Sequence, residues 1–354
     1  MTGHGDQCGG NYEQWFRANC PDWKALTDPA NELPHDYTCP QVYRTPIPEA
    51  FYPTTWIGDR AIDYVQARRG ESDPFFAFVS FPDPHHPFNP PGKYWDMYVP
   101  EQFDPDLPYE AHQNPPPPMQ FLTDRWEQGL GPEIPQSAFR NNRRHIQEAM
   151  ALTAGMVTMI DDQVGRMVAA LKEAGLFENT IVIFNSDHGD YLGDFDLLLK
   201  GALPFRSVTQ VPMVWSDPMQ QTVARTQALA STIDISASIL ARAELAPYNG
   251  IQGRSFLGSL EKDVPHRDAL LVEFNDGGSR LGFVPPARVR SLRTKEWRFT
   301  TYQGEDWGEL YDPRETHNLW DVPEFAEVKA EMSLEMIDQL TTQMDASPRA
   351  QRRA

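Results

Sequence analysis

Residues 180–190 read Thr-Ile-Val-Ile-Phe-Asn-Ser-Asp-His-Gly-Asp, an apolar run that ends in a polar cluster. Directly before this run, an amphipathic helix is predicted over about residues 144–174, with one apolar stripe and with Gly175 at the position that commonly ends a helix. A helix followed by a buried strand is the alternation of an α/β fold, and such folds bind ligands at the carboxyl ends of their strands. We therefore predict an α/β fold with a ligand site around Asp187 and His188.

A second apolar run covers residues 75–81 and is predicted to be a strand that is apolar on both faces, as strands buried in a parallel sheet are. A helix is predicted before it, over about residues 55–69. The run stops at Pro-Asp-Pro-His-His-Pro, residues 82–87. His85 and His86 are therefore expected in a stiff loop at the end of this strand.

The rest of the chain divides into an insertion and two further regions. Residues 92–140 are rich in proline and are predicted to form a long irregular insertion, which favours a lid or binding loop; its aromatic residues argue for packing rather than for a flexible linker. A short strand is predicted at 211–215 and a helix at 228–244.

The character of the sequence changes after about residue 262. The pattern predicts an antiparallel meander followed by a helix, with strands at 269–274, 287–293 and 297–302 and the helix at about 323–344. We therefore predict a catalytic α/β domain over residues 1–261 and a small C-terminal α+β subdomain with an antiparallel sheet over residues 262–354.

Composition narrows the classes of function. The 354 residues carry a formal net charge of −19, which argues against a general nucleic-acid binder or a binder of anionic membranes, because both rely on Lys and Arg. No apolar stretch approaches the roughly 20 residues of a membrane-spanning helix. The three cysteines, Cys8, Cys20 and Cys39, form no disulfide framework and no Cys-x-x-Cys metal pair.

The adjacent pair Asp187 and His188 offers a carboxylate oxygen and an imidazole nitrogen, which together can coordinate a divalent cation. The alternative is a polar turn in which Asp187 caps the next helix, and the residues alone do not separate these two interpretations. Two ligands are also fewer than a hard divalent cation requires.

Three further residues could contribute to the same chemistry. Lys200 ends an apolar run and could bind an anionic oxygen of a substrate, although most lysines are solvated surface charges. His85 or His86 could donate a proton to a leaving group, or could instead be a loop histidine at a domain contact.

Several motifs occur in a fixed order along the chain. They are P-H-x-P after an apolar strand, T-I-V-I-F-N-S-D-H-G-D at 180–190, L-L-K-G at 198–201, S-T-I-D-I-S-A-S-I-L at 231–240, G-I-Q-G-R-S-F at 250–256 and E-L-Y-D-P-x-E-x-x-N-L at 309–319. This set resembles the sulfatase family of the alkaline phosphatase superfamily. The D-H pair resembles the branch with choline-sulfatase-like and phosphonate-monoester-hydrolase-like members.

The resemblance implies a fold and a set of roles. The fold is a mixed or parallel sheet of the alkaline phosphatase type, flanked by helices. Asp187 and His188 are implied to be two ligands of one divalent metal ion, with Ca²⁺ preferred, Mg²⁺ or Mn²⁺ as alternatives and Zn²⁺ left open. Lys200 and His85 are implied to bind the sulfate or phosphonate group and to assist the leaving group. His85 matches P-H-x-P better than His86, which is kept as a second substrate-binding residue.

The sequence departs from the family pattern in two respects. Phe195 stands where the family commonly has His. The Asp-Asp metal pair and the C-x-P-x-R or S-x-P-x-R motif are also missing, so the formylglycine nucleophile is not encoded in this chain; Asp161-Asp162 falls on the solvated face of the predicted helix. We therefore expect an N-terminally incomplete sulfatase with little activity on its own, and either poor solubility or a missing N-terminal polypeptide as partner.

Sulfate-ester hydrolysis is the leading functional hypothesis, with a small anionic sulfate or phosphonate ester as the ligand. The alternatives are hydrolysis of phosphonate or phosphate esters, and a non-catalytic protein that retains an anion pocket. Nucleic-acid and membrane partners are not expected, while a homo-oligomer stays open. The sequence shows no signal peptide, which leaves the localisation unknown, or cytoplasmic if Met1 is the true start.

Overall fold

The computed structural model describes residues 10–130, 138–220, 225–278 and 280–343. Two compact units are interleaved along the chain. Unit 1 comprises Met1–Tyr109, Arg125–Val182 and Asp190–Leu199, and unit 2 comprises Glu110–Asp124, Ile183–Gly189 and Lys200–Ala354. Each unit mixes helices with strands or extended segments. The predicted domain division at residues 261 and 262 stays a prediction.

The helices and strands of the described residues are numbered in chain order. The α-helices are α1 (Asn11–Asn19), α2 (Trp23–Leu26), α3 (Pro53–Ala67), α4 (Pro117–Glu127), α5 (Arg143–Glu173), α6 (Arg206–Thr209), α7 (Ile233–Arg242), α8 (Leu257–Lys262) and α9 (Ala326–Thr342). The strands are β1 (Val182–Asn185), β2 (Met213–Ser216), β3 (Leu270–Asn275), β4 (Arg288–Arg293), β5 (Arg298–Tyr302) and β6 (Gly308–Tyr311).

Helix α5 organises unit 1, and its predicted bounds are confirmed to within a residue at each end. The side chain of Asn142 caps it by accepting a hydrogen bond from the His145 N–H at 2.9 Å, and Gly175 follows it with a φ of 72°. The apolar stripe is buried, and it packs against α3. At Gly155 the carbonyl oxygen of Tyr94 lies 2.3 Å from where a Cβ would stand, so only glycine allows this close approach.

Aromatic side chains from the first hundred residues form a second part of the unit 1 core. The buried members of this cluster are Tyr12, Phe16, Cys20, Ile47, Tyr52, Tyr94 and Met159. The prediction that the aromatic residues of the insertion pack is confirmed for Tyr94, Trp95 and Phe139, which are buried, whereas Phe121 is 39% exposed. The insertion is not wholly irregular, however: it contains α4, which begins with prolines where their missing N–H is tolerated.

The predicted buried strand at residues 75–81 is wrong. The segment has no strand assignment, and Phe76 and Phe78 are 71% and 82% exposed. Among the described residues, no strand or bridge pairs with it. Phe75 packs on the cluster of Val65, Ala170 and Leu171, while the residues from Phe76 to Ser80 are exposed. A continuous apolar run has the residue types of a buried strand. The run is buried, however, only where neighbouring strands or helices cover it.

Strands β1 and β2 pair in a two-stranded sheet, close to their predicted positions. The expectation that β1 is a fully buried strand is wrong, since Val182 and Ile183 are half-buried and Phe184 and Asn185 are exposed. The polar turn that contains Asp187 and His188 follows Asn185, the last residue of β1.

The C-terminal antiparallel meander is confirmed and has one more strand than predicted. Strands β3, β4, β5 and β6 pair in sequence order, each antiparallel to the next. Helix α9 covers this sheet, and Met332 and Met336 pack on Leu292, Phe299 and Leu310. The unpredicted strand is β6, whose short run Gly-Glu-Leu-Tyr contains too few residues for an alternation to be read from sequence.

Two of the sequence motifs, at residues 231–240 and 250–256, contact each other in unit 2. Asp234, at the start of α7, is fully buried and accepts hydrogen bonds from Arg267 Nε at 2.8 Å, from His266 Nε2 at 3.1 Å and from the Arg254 backbone N–H at 2.8 Å. Burial acts to raise the pKa of the Asp234 carboxyl group, but the Arg267 guanidinium and the backbone donors lower it below its usual value. Ser238 also accepts from the Phe256 N–H at 3.0 Å.

Within the described residues, no helix has both the length and the apolar character that crossing a bilayer requires.

We expect Asp234→Asn to lower the free energy of unfolding by about 3–5 kcal/mol, because it leaves the buried Arg267 guanidinium without its counter-charge. Urea unfolding at pH 7 measures this effect. Asp338→Asn, on the exposed face of α9, is the control and should change the stability by less than about 0.5 kcal/mol. A change of similar size in both variants would contradict the prediction.

Stability should also fall between pH 6.5 and 4 because of His112. Burial, with the Arg298 charge nearby, lowers the pKa of this buried histidine to about 4. A group whose pKa is lowered by folding stabilises the protein above its unfolded pKa, and this contribution is lost as the pH falls through the folded value. Thermal melts of wild type and His112→Gln across this range should show a flatter pH profile for the variant. Parallel profiles would contradict the assignment.

Candidate active site

Asp187 and His188 form an exposed turn directly after β1. The side chain of Asp187 is 84% exposed and that of His188 is 43% exposed, and Asp187 Oδ2 lies 3.6 Å from His188 Nε2. His188 Nδ1 bonds to the Gly189 carbonyl oxygen at 2.9 Å, which requires Nδ1 to carry the proton and leaves the lone pair on Nε2. The carboxylate and the imidazole lone pair are therefore available to a ligand.

The capping alternative for Asp187 is wrong. Asp187 Oδ1 accepts from the N–H of the next residue, His188, at 2.9 Å. The next helical element is the short turn Asp194–Asp196, too far along the chain for Asp187 to cap it. Helix capping therefore does not explain the presence of Asp187 in this turn.

Gly189 docks the turn against α6. Its N–H donates to the Val208 carbonyl oxygen at 2.8 Å, and a Cβ at Gly189 would lie 1.9 Å from the Ser207 carbonyl oxygen. Lys200 lies on the segment that leads into α6. Unit 2 thus packs the Asp187–His188 turn against α6, the helix into which the Lys200 segment leads.

The segment that follows Lys200 is anchored in the interior of unit 2. Ala202, Leu203 and Phe205 are buried, while Lys200 itself is partly exposed. The Ala202 carbonyl oxygen accepts a hydrogen bond from the Tyr302 hydroxyl at 3.2 Å. The Arg206 N–H donates to Glu315 Oε2 at 2.7 Å.

His85 and His86 lie in unit 1 and are both partly exposed. Their rings stack with centroids 4.1 Å apart, and His85 Nδ1 bonds to the His86 carbonyl oxygen at 2.6 Å. This bond requires Nδ1 of His85 to be the donor, because a carbonyl oxygen only accepts. The preceding Asp83 is buried and accepts hydrogen bonds from Tyr52 and Thr54, which anchors the loop.

The predicted site residues therefore fall into two groups. Asp187, His188 and Lys200 belong to unit 2, and His85 and His86 belong to unit 1. That the two groups form one site stays a prediction.

The fit to a metal ion is partial. Asp187 and His188 supply an oxygen and a nitrogen of suitable type, but the described residues contain no group of three or more His, Cys, Asp or Glu side chains placed to hold an ion. A hard divalent cation takes six or more ligands, so these two side chains would hold it only together with other donors. Asp161 and Asp162 are exposed on α5, as predicted.

Neither described cysteine has the properties of a nucleophile. Cys20 and Cys39 are both buried and free. Burial raises the pKa of the Cys39 thiol to about 12, so the reactive thiolate is not populated at neutral pH. Cys8 lies outside the described residues.

Sequence reasoning missed the residues that hold the Lys200 segment. Glu315 stands in the motif E-L-Y-D-P-x-E-x-x-N-L, and Tyr302 lies seven residues before that motif, but neither residue was assigned a role from the sequence. In the structure Glu315 has a φ of 57°, a strained conformation for a non-glycine residue, and no feature of the sequence indicates it.

Comparison with known protein families identifies two matching regions. The family model described as "Sulfatase" matches residues 6–245. The model described as "N-sulphoglucosamine sulphohydrolase, C-terminal" matches residues 200–343. The first covers more than half of the chain, and the second covers the meander and α9.

Individual relatives agree with the family models. The chain is 29% identical to an arylsulfatase of Clostridium perfringens over 91% of its own length and 64% of that protein's length. It is 32% identical to the "Multifunctional alkaline phosphatase superfamily protein PehA" of Trinickia caryophylli, over 65% of this chain and 46% of the relative. The chain thus spans less than two thirds of the length of these relatives.

The fold is shared with solved structures. The crystal structure of a phosphonate monoester hydrolase of Agrobacterium radiobacter superposes with a TM-score of 0.76 at 24% identity, covering 94% of this chain and 69% of that one. The α/β fold predicted from sequence is therefore confirmed.

We expect Gly189→Ala to lower the free energy of unfolding by about 2 kcal/mol or more, because the added methyl group overlaps the Ser207 carbonyl and must displace the turn. Gly165→Ala is the matched control. It lies in α5 with open space around its Cβ, so the same substitution should stabilise the protein by about 0.5–1 kcal/mol. Denaturant unfolding of both variants tests this difference, and equal effects would contradict it.

Proposed function

Because this chain belongs to the sulfatase family, we propose that it carries the metal and anion-binding part of a site that hydrolyses small sulfate esters. The observation that carries the proposal is the exposed Asp187–His188 turn, which is packed through Gly189 on α6, the helix that follows the Lys200 segment. Asp187 and His188 would hold a divalent cation, with Ca²⁺ preferred over Mg²⁺ and Mn²⁺, and that cation would neutralise charge on the ester oxygens.

The roles of the remaining residues follow from their chemistry. Lys200 would place its ammonium group against a non-bridging oxygen, where negative charge grows as the ester bond breaks. His85 would donate a proton from Nε2 to the leaving oxygen, with Nδ1 held by the His86 carbonyl. His86 is proposed as a further contact to the anionic group.

We propose that turnover by residues 1–354 alone is slow. The sequence contains no C-x-P-x-R or S-x-P-x-R motif from which the formylglycine nucleophile is made. Anion binding, in contrast, needs only the charged side chains and does not depend on a nucleophile. An experiment on this chain should therefore measure binding as well as turnover.

Hydrolysis of phosphonate or phosphate esters is the second candidate. It is favoured by the 32% identity to a relative whose name describes a multifunctional member of the alkaline phosphatase superfamily. Sulfate and phosphonate groups are both tetrahedral and anionic, so Lys200 and a cation could serve either. A non-catalytic anion-binding protein is the third candidate, supported by the absent nucleophile motif.

Lys200→Ala should weaken the binding of inorganic sulfate at least tenfold and lower any hydrolysis of an aryl sulfate by about 100-fold, because one oxyanion donor is removed. Calorimetry and a chromogenic assay, with aryl sulfate and phenylphosphonate esters in parallel, provide the measurements. Lys262→Ala, at the exposed end of α8, is the control and should match wild type.

The outcomes separate the candidates. Faster hydrolysis of the phosphonate ester than of the sulfate ester would favour the second, and sulfate binding without any turnover would favour the third. Equal sulfate affinities for Lys200→Ala and Lys262→Ala would refute the proposed anion site.

Removal of the metal is tested by thermal melts after chelation. Added Ca²⁺ should raise the melting temperature of the wild-type chain, because a ligand that binds the folded state stabilises it. Asp187→Asn should abolish this response, whereas Asp338→Asn should retain it. An equal Ca²⁺ response in Asp187→Asn and wild type would exclude Asp187 as a ligand.

A further inference from the structure

We propose that Tyr302 and Glu315, supported by Arg298 and Glu309, are positioning residues that set the place of Lys200. We call these four residues the buried clamp. The inference rests on the proposed function and extends it, because it names the residues that hold the proposed anion-binding lysine in position. All the contacts involved lie within unit 2.

The first contact of the clamp is made by Tyr302. Its hydroxyl has one proton, which it shares between the Glu309 carboxylate and the Ala202 carbonyl oxygen, the second at 3.2 Å. Burial and the Glu309 charge raise the pKa of Tyr302 well above its usual value, so the hydroxyl keeps its proton and remains a donor. Ala202 is two residues after Lys200, so their Cα atoms are at most about 7–8 Å apart.

The second contact is made by Glu315. Its Oε2 accepts from the backbone N–H of Arg206 at 2.7 Å, while its Oε1 accepts from Arg298 Nε at 2.8 Å and from Arg293. The two contacts fix the segment after Lys200 at both of its ends, at Ala202 and at Arg206. The chain between them has little freedom, since Leu203 and Phe205 are fully buried.

Arg298 joins the two carboxylates of the clamp. It is 1% exposed and donates to Glu309 Oε2 at 2.7 Å as well as to Glu315. Burial acts to lower its pKa, but the Glu315 and Glu309 charges hold the pKa above its usual value. The Arg298 guanidinium also lies 5.1 Å from the centre of the Phe205 ring, so it contacts the Lys200 segment directly.

The backbone conformation at Lys200 is consistent with external positioning. Leu199, the residue before it, has a φ of 68°, which costs a non-glycine residue energy and persists only where surrounding contacts impose it. A segment under such strain relaxes when its anchors are removed. The position of the Lys200 side chain should therefore depend on the clamp.

The test compares two conservative variants of the chain. Tyr302→Phe removes only the hydroxyl that contacts Ala202. Tyr311→Phe is the matched control, because this tyrosine is equally buried in the same sheet but its hydroxyl bonds to His112 Nε2 at 2.9 Å and not to the Lys200 segment. Circular dichroism confirms that both variants are folded.

The readout is the NMR resonance of the Lys200 Cε in a chain labelled with ¹³C-lysine, which needs no chemical access to the buried Nζ atom. The chain has seven lysines, so their resonances can be resolved, and Lys200→Arg assigns the relevant one. We expect Tyr302→Phe to shift or broaden the Lys200 resonance and to weaken the binding of inorganic sulfate about fivefold, the effect of one hydrogen bond. Tyr311→Phe should match wild type in both measurements.

The arms of the experiment separate the two proposals. A Lys200 resonance that is the same in Tyr302→Phe and wild type, without sulfate, would overturn the positioning role. A wild-type Lys200 resonance that does not respond to sulfate would instead overturn the proposed anion site. An equal disturbance of Lys200 by Tyr311→Phe would show a general loss of packing, which also overturns the specific role of Tyr302.

Discussion

Unit 2 depends on one buried charge, the guanidinium group of Arg298, which has to be paired. It contacts Glu309 on β6, Glu315 in the turn that follows, and the ring of Phe205. A buried charge is tolerable only when its partners are in place, because breaking such a pair costs about 3–5 kcal/mol. The meander and the segment after Lys200 therefore have to form together. The sheet carries no candidate catalytic residue, but it and the turn after β6 contact the segment that follows Lys200 at Ala202, Phe205 and Arg206.

The family motifs divide into chemical and structural groups when placed in the fold. Asp187 and His188 are exposed and offer ligand atoms. Asp234 and Asn318, in contrast, are buried: Asp234 binds Arg267 and the Arg254 backbone, while Asn318 accepts from the Leu310 N–H and donates to the Gly308 carbonyl. Some residues of the motifs thus maintain the fold, whereas others offer ligand atoms. The family assignment rests on the match of the whole of residues 6–245 to the sulfatase model.

Most of the helical architecture could be predicted from the sequence, but burial of the strands could not. The stripe along α5 has a period that only a helix satisfies, so its bounds were predictable. The run at 75–81 has the right residues for a buried strand, yet burial is a property of its neighbours. The buried clamp was unpredictable for a related reason. Glu309 and Glu315 meet Arg298 and the Lys200 segment through the fold, and no local pattern marks such pairs.

The charge balance of the clamp also bears on how an acidic chain could bind an anion. The net charge of −19 would oppose an anionic ester if free carboxylates lay beside Lys200. In the clamp, however, the carboxylates of Glu309 and Glu315 are matched by the guanidiniums of Arg298 and Arg293. The pairs are buried, where a partner charge is felt most strongly, so they present little net field at longer range. The carboxylates of the clamp therefore add little net negative charge to the unit that carries Lys200, although the whole chain is acidic.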